Sequence, residues 1–171
     1  PCGVESQDKN IQCSFCLVLL HEFDAQFLNL KTVQAIDVID RFGYKSAVNQ
    51  GLTVPNKDVE NLRKILLLVE PSKQAGDIVF DVLKRIAEGK EQDDLNMFIT
   101  LLYREFDALG LLEEAKKVFE AEEKLFKEKL SRAEIKNLGN LTVAVSYETL
   151  APRHAELFSQ GIDIIIERNA F

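Results

Sequence analysis

Apolar residues return along this chain mostly at intervals of three and four, the repeat that places side chains on one face of an α-helix. From Asp8 to Leu30 the positions Ile11, Phe15, Val18, Leu19, Phe23, Phe27 and Leu30 share such a face, which predicts a first helix. A second covers Thr32 to Phe42 with Val33, Ile36 and Ile39 or Ala35, Val38 and Phe42, and Gly43 is its natural stop. Residues Tyr44 to Pro55 lose the periodicity and read as a loop, ending at Asn56, which is suited to cap a third helix. That helix carries Val59, Leu62, Ile65, Leu66 and Val69 and halts before Pro71, because the residue preceding a proline is pushed out of helical geometry.

Ser72 caps a fourth helix, Lys73 to Glu88, with Val79, Val82, Leu83 and Ile86 on its apolar face and Gly89 at its end. Asp93 or Asp94 restarts the chain. A fifth helix takes Leu95, Phe98, Leu101, Leu102, Phe106 and Leu109. The sixth, expected to be the longest, takes Leu112, Ala115, Val118, Phe119, Leu125, Phe126 and Leu130, with an outer face of Glu113, Lys117, Glu120 and Lys124 that reads as solvated. The stretch from Asn140 to Phe171 is ambiguous. Leu141 to Tyr147 and Ile162 to Ile166 contain β-branched runs compatible with strands. Pro152 followed by Ala155, Leu157, Phe158, Ile162, Ile165 and Ile166 favours helix. The expected fold is all-α, a low-symmetry bundle of six or seven helices in one domain over 1–171, with a hairpin over 8–43 packing on 56–171. No segment repeats at a fixed period, so a solenoid is not expected.

Composition narrows the classes. The chain has 171 residues, 46% hydrophobic and 29% charged, which suits a soluble folded domain and not a disordered one. Its formal charge of −7, from 28 acidic against 21 basic residues, repels phosphate backbones, so nucleic acid is not an expected partner. Apolar runs such as Cys16 to Leu20 and Ile65 to Val69 fall far short of the roughly 20 residues of a spanning helix. Pro1 in place of a methionine is read as a processed or trimmed start, and it is a poor neighbour for acylation of Cys2. Three cysteines, Cys2, Cys13 and Cys16, cannot all pair with one another, which points to a reducing compartment and a cytoplasmic location.

Candidate chemistry is sparse. Cys13-Ser14-Phe15-Cys16 has the spacing of half a zinc site or of a redox pair, but neither two further ligands nor a βαβ context is visible, so both cysteines are read as small core residues opening an apolar helix. The pair also resembles the opening of saposin-like lipid-binding domains, which need partner cysteines that this chain lacks after Cys16. His21 and His154 are the only histidines, and neither has Glu three positions earlier, as a di-iron bundle requires. Glu22 with Asp24, and Asp37 with Asp40 and Arg41, offer carboxylates at helical spacing that solvated faces explain equally well. No serine stands in a glycine-flanked turn, and the scattered glycines form no phosphate-binding loop. No catalytic, cofactor-binding or metal-ligating residue is assigned, and no cofactor is expected.

The order Leu109-Gly110-Leu111, Phe119, Glu122, Phe126 and Lys127, then Pro152, Phe158, Gly161, Ile162 and Ile165, resembles the C-terminal half of an uncharacterised family of all-helical bacterial proteins, a domain of unknown function from Bacteroidetes. The likeness covers the chain from Phe106 onward and the aromatic first helix around Phe15 and Phe23, and lacks the tryptophan that often follows the Leu-Gly-Leu element. It implies a helical bundle and a bacterial source, and supplies no activity or site residue.

Three functional classes follow. The first is a non-catalytic interaction or structural module that docks a protein partner or a second copy, because four consecutive apolar residues, Leu66 to Val69, must leave at least one facing away from its core. The alternative is a carrier of an apolar ligand such as a fatty acid, motivated by eleven phenylalanines. An enzyme built from scattered carboxylates and His154 has no spacing argument behind it and is not expected.

Overall fold

Several helix starts in this protein are set by side chains that take up backbone N–H groups left without an intrahelical acceptor. A computed structural model describes residues 13–23, 25–150, 153, 157–158 and 161–168. Asn56 accepts hydrogen bonds from the N–H groups of Asp58 and Val59 at the start of α4 (Lys57–Leu66). Ser72 accepts from Ala75 at the start of α5 (Lys73–Ala87), and Asp94 from Asn96 and Met97 at the start of α6 (Leu95–Ala108). The neighbouring aspartate caps another helix. Leu30 precedes α2 (Lys31–Phe42) with no side-chain cap of its own, and Asp93 supplies one from 61 residues away, its two oxygens accepting from Lys31 and Thr32 at 2.7 and 2.8 Å. Helix ends are equally marked: Gly89 and Gly110, both at φ +70°, occupy a left-handed conformation that a side chain would oppose, and the next residues, Lys90 and Leu111, bond back to Arg85 and Phe106.

The first predicted helix is two elements. The part over 8–12 lies outside the described residues, α1 spans Ser14–Glu22, and after Phe23 the chain resumes as a short 3-10 helix, Ala25–Asn29. The buried stripe of α1 is Cys13, Cys16 and Leu19, while Val18 and Phe23, assigned to the core face by periodicity, are about half exposed. The break brings two rings onto one: Phe23 stacks on Phe80 with centroids 3.9 Å apart, and Phe27 meets the same ring edge-on at 5.3 Å. The stretch read as a loop contains α3 (Tyr44–Asn49), which buries Ala47. Helix α4 stops earlier than expected, and Leu67 to Val69 close in a tighter turn that leaves Leu67 68% exposed.

Contacts along the chain cluster into two compact units, residues 1–116 and 117–171, with the boundary inside α7 (Glu113–Arg132). In the first, α6 is central. It packs against α2, α4 and α5, and Leu95, Phe98, Ile99, Leu101, Leu102 and Phe106 are buried along it together with Val82, Leu83 and Ile86 of α5.

The second unit overturns the all-α expectation. The chain is mostly helical, but Leu141–Ser146, favoured as helix, is strand β2 at the centre of a three-stranded sheet. Strand β1 (Glu134–Leu138) pairs with it antiparallel through a two-residue turn, Gly139-Asn140. Gly139 sits at φ +66°, as the first central residue of a type II′ hairpin requires. Strand β3 (Ile164–Glu167) pairs with β2 in parallel, so Ile165 and Ile166, expected on a helix from Pro152, lie in the sheet. Of that expected helix only Leu157 and Phe158 are helical among the described residues, and Pro152 and Ala155 lie outside them. Tertiary pairing decided this stretch. β-Branched runs fit either period, and the strand is selected by pairing with the adjacent β1 and with β3, some twenty residues away. A core of Phe126, Leu150 and Leu157 lies in this unit, with Leu130, Ile162 and Ile165 packed against it. Arg153 lies over the Phe126 ring at 4.1 Å and pairs with Glu123.

Candidate functional site

Two features stand out, one on the surface and one buried. The surface feature follows from strand register, since directly paired residues point to the same face of a sheet. Pairing sets Lys136, Val143 and Ile164 on one face, together with Glu134, Val145 and Ile166, and with Leu138 and Leu141. On that face Val143 and Val145 are buried, but Leu138, Leu141, Ile164 and Ile166 are each at least 40% exposed. The opposite face carries Ile165, packed on the unit's core, and the fully buried Ala144. Strands β1 and β3 each pair only with β2 among the described residues, and every residue of β1 is exposed. An exposed strand edge presents backbone N–H and C=O groups to any other extended chain. Glu134 and Lys136, two apart on that strand, form an ion pair at 2.6 Å. The sequence marked neither Ile135 nor Leu138 as sheet residues, although Gly139-Asn140 between apolar segments is a hairpin signal.

The buried feature lies at the start of α1. Cys13 is the N-cap residue of this helix, and its Sγ accepts from the Cys16 N–H at 3.4 Å. Asp37 of α2 reaches the same point: its Oδ1 accepts from the Cys13 N–H at 3.3 Å, and its Oδ2 pairs with Arg41 Nη1 at 2.9 Å. The two thiols and the carboxylate each place an atom within 4.8 Å of the others, and both cysteines are unbridged. Hydrogen bonding from Cys16 holds the Cys13 thiol below its ordinary pKa, against burial and the Asp37 charge, which act in the other direction. The same shared proton pushes Cys16 far above its ordinary value, with burial and the nearby Cys13 and Asp37 charges adding to the effect. The sequence displayed both halves of this cluster, the C-x-x-C and the Asp37–Arg41 pair one helical turn apart. No local signal says that they meet.

The other candidates are not gathered together. His21 is exposed on α1, and His154 lies outside the described residues. Asp40 is exposed on α2, and Asp24 is outside the described set. Of the apolar run Leu66 to Val69, Leu67 is the residue that faces away. No helix among the described residues is long and apolar enough to cross a membrane. No protein family, curated protein or solved structure matches the chain.

Proposed function

We propose that this protein is a non-catalytic interaction module that pairs with a second copy of itself through the free edge of strand β1. The observation carrying this reading is the row of exposed apolar side chains, Leu138, Leu141, Ile164 and Ile166, on one face of a sheet whose edge strand is uncovered. Charge favours a second copy as the occupant. In an antiparallel pair centred on Ile135, the Glu134 of each copy stands opposite the Lys136 of the other, and two exposed isoleucines meet between them. Such a pair would extend the sheet across both copies, with the charged pairs at the seam on the face of the apolar rows and the two isoleucines on the opposite face. The apolar-ligand alternative draws on the phenylalanines, of which Phe27, Phe98, Phe106 and Phe126 are packed in cores and Phe23 is stacked on Phe80.

Sedimentation equilibrium of the full chain across a wide concentration range tests this reading. A reversible dimer is expected. Glu134→Lys, which sets lysines against lysines in the paired copies, should weaken it, and the double swap Glu134→Lys with Lys136→Glu should restore it. A chain that stays monomeric throughout, or a dimer indifferent to the single swap, overturns the proposal. A partner of another sequence captured by a chain that does not self-associate would count against the second copy as occupant.

A further inference from the structure

We infer that Cys13, Cys16 and Asp37 form a binding site for one thiophilic divalent cation of the zinc type. The donor set is the first reason. Two soft thiolates and a hard carboxylate form a mixed set that a borderline ion such as zinc takes, and three protein ligands leave a fourth tetrahedral position for water. Geometry is the second. Donors around a tetrahedral zinc stand roughly 3.5–4 Å apart, and these three already lie within 4.8 Å of one another, so small side-chain rotations would bring them to bonding distance. The ligands come from two helices whose contributing residues are 24 apart in sequence, and they are held before any ion arrives: Cys13 is fixed by its capping role, and Asp37 by the Cys13 N–H and by Arg41. Charge is the third. A dication balanced by two thiolates and Asp37 leaves one negative charge, which the Arg41 guanidinium bonded to Asp37 offsets, so a buried site would end neutral.

Arg41 thereby acts as a positioning residue, and Asp37 serves as both ligand and link between helices. A dithiol that cycles through a disulfide would use the same cysteines, but both are buried, which shuts out the bulky disulfide substrate that such exchange needs. A small cation has less difficulty.

The test uses the full chain, reduced and stripped with a chelator, then titrated with zinc against a chromophoric chelator and separately with cobalt(II). One zinc per chain is expected, and the cobalt adduct should show thiolate-to-metal charge-transfer absorption. Cys13→Ser and Cys16→Ser should each abolish uptake. Asp37→Asn should weaken it by roughly ten- to a hundredfold while keeping the charge-transfer bands, and Cys2→Ser should bind like the wild-type chain. Helical circular dichroism of each variant separates lost binding from lost folding. Absence of uptake by the folded wild-type chain, uptake indifferent to Asp37→Asn, or loss caused equally by Cys2→Ser would each overturn the assignment.

Discussion

Two adjacent aspartates show how much one residue can depend on where the chain folds back. Asp94 caps the helix that it precedes, whereas Asp93 caps α2, whose own preceding residue is a leucine without a hydrogen-bonding side chain. Both oxygens of Asp93 are engaged, and its negative charge sits at the positive end of the α2 dipole. Asp93→Ala should therefore cost about 1–2 kcal/mol, comparable to the loss of a strong local cap. Asp93→Asn should cost less, because one oxygen still accepts while the charge is gone. Urea unfolding of the three chains checks this, and a change within a few tenths for Asp93→Ala would show that the long-range cap contributes nothing. The cap also joins segments 61 residues apart, which a change to Asp94 would not disturb.

At the scale of elements, the hairpin β1–β2 depends on one backbone conformation. A Cβ built on Gly139 meets nothing within 4 Å, so a substitution there is opposed only by its torsion, at φ +66°. Gly139→Val should destabilise the second unit by roughly 1–2 kcal/mol, the cost of a branched side chain in left-handed geometry. The measurement is amide exchange at Val143 and Ala144, which should quicken, and unchanged rates would refute the role given to this turn. Legibility in the sequence follows the same physics. Helices α5 and α6 are readable because amphipathic periods, caps and terminal glycines agree locally, with Ser72, Asp94, Gly89 and Gly110 where the pattern places them, and α2 is readable from its period and Gly43 alone. In α1 they disagree, since its buried stripe is Cys13, Cys16 and Leu19 instead of the aromatic one. The sheet was the least legible part. Leu141 to Ser146 satisfies both periods; its hairpin with Glu134 to Leu138 is marked locally by Gly139-Asn140, but its parallel partner, Ile164 to Glu167, lies in no local window. The thiol cluster is the same case in miniature: its cysteines and its carboxylate were each visible, and only the packing of α1 on α2 joins them.

For the molecule as a whole, the presence of two clusters of contacts raises the question of whether it unfolds as one body. Each unit has apolar side chains fully removed from water, Val82 and Leu83 in the first and Leu150 and Leu157 in the second. Truncating a buried leucine to alanine costs about 2–5 kcal/mol through lost burial and the cavity left behind. If each core supports its own unit, that loss should stay local, because amide protection reports cooperative subunits of a structure separately. Leu157→Ala should then accelerate exchange at the β2 amides of Val143 to Ser146 and leave those of Leu101 and Leu102 in α6 at wild-type rates. Leu83→Ala should do the reverse. Both variants are measured in the full chain, so neither unit has to fold alone. Equal acceleration everywhere in both variants would mean that α7, which crosses the boundary, carries the loss from one core into the other and makes the chain a single cooperative unit. The local outcome has a functional consequence, since the sheet unit would keep its β1 edge formed and able to pair with a second copy even where the core of the helical unit around α6 is weakened.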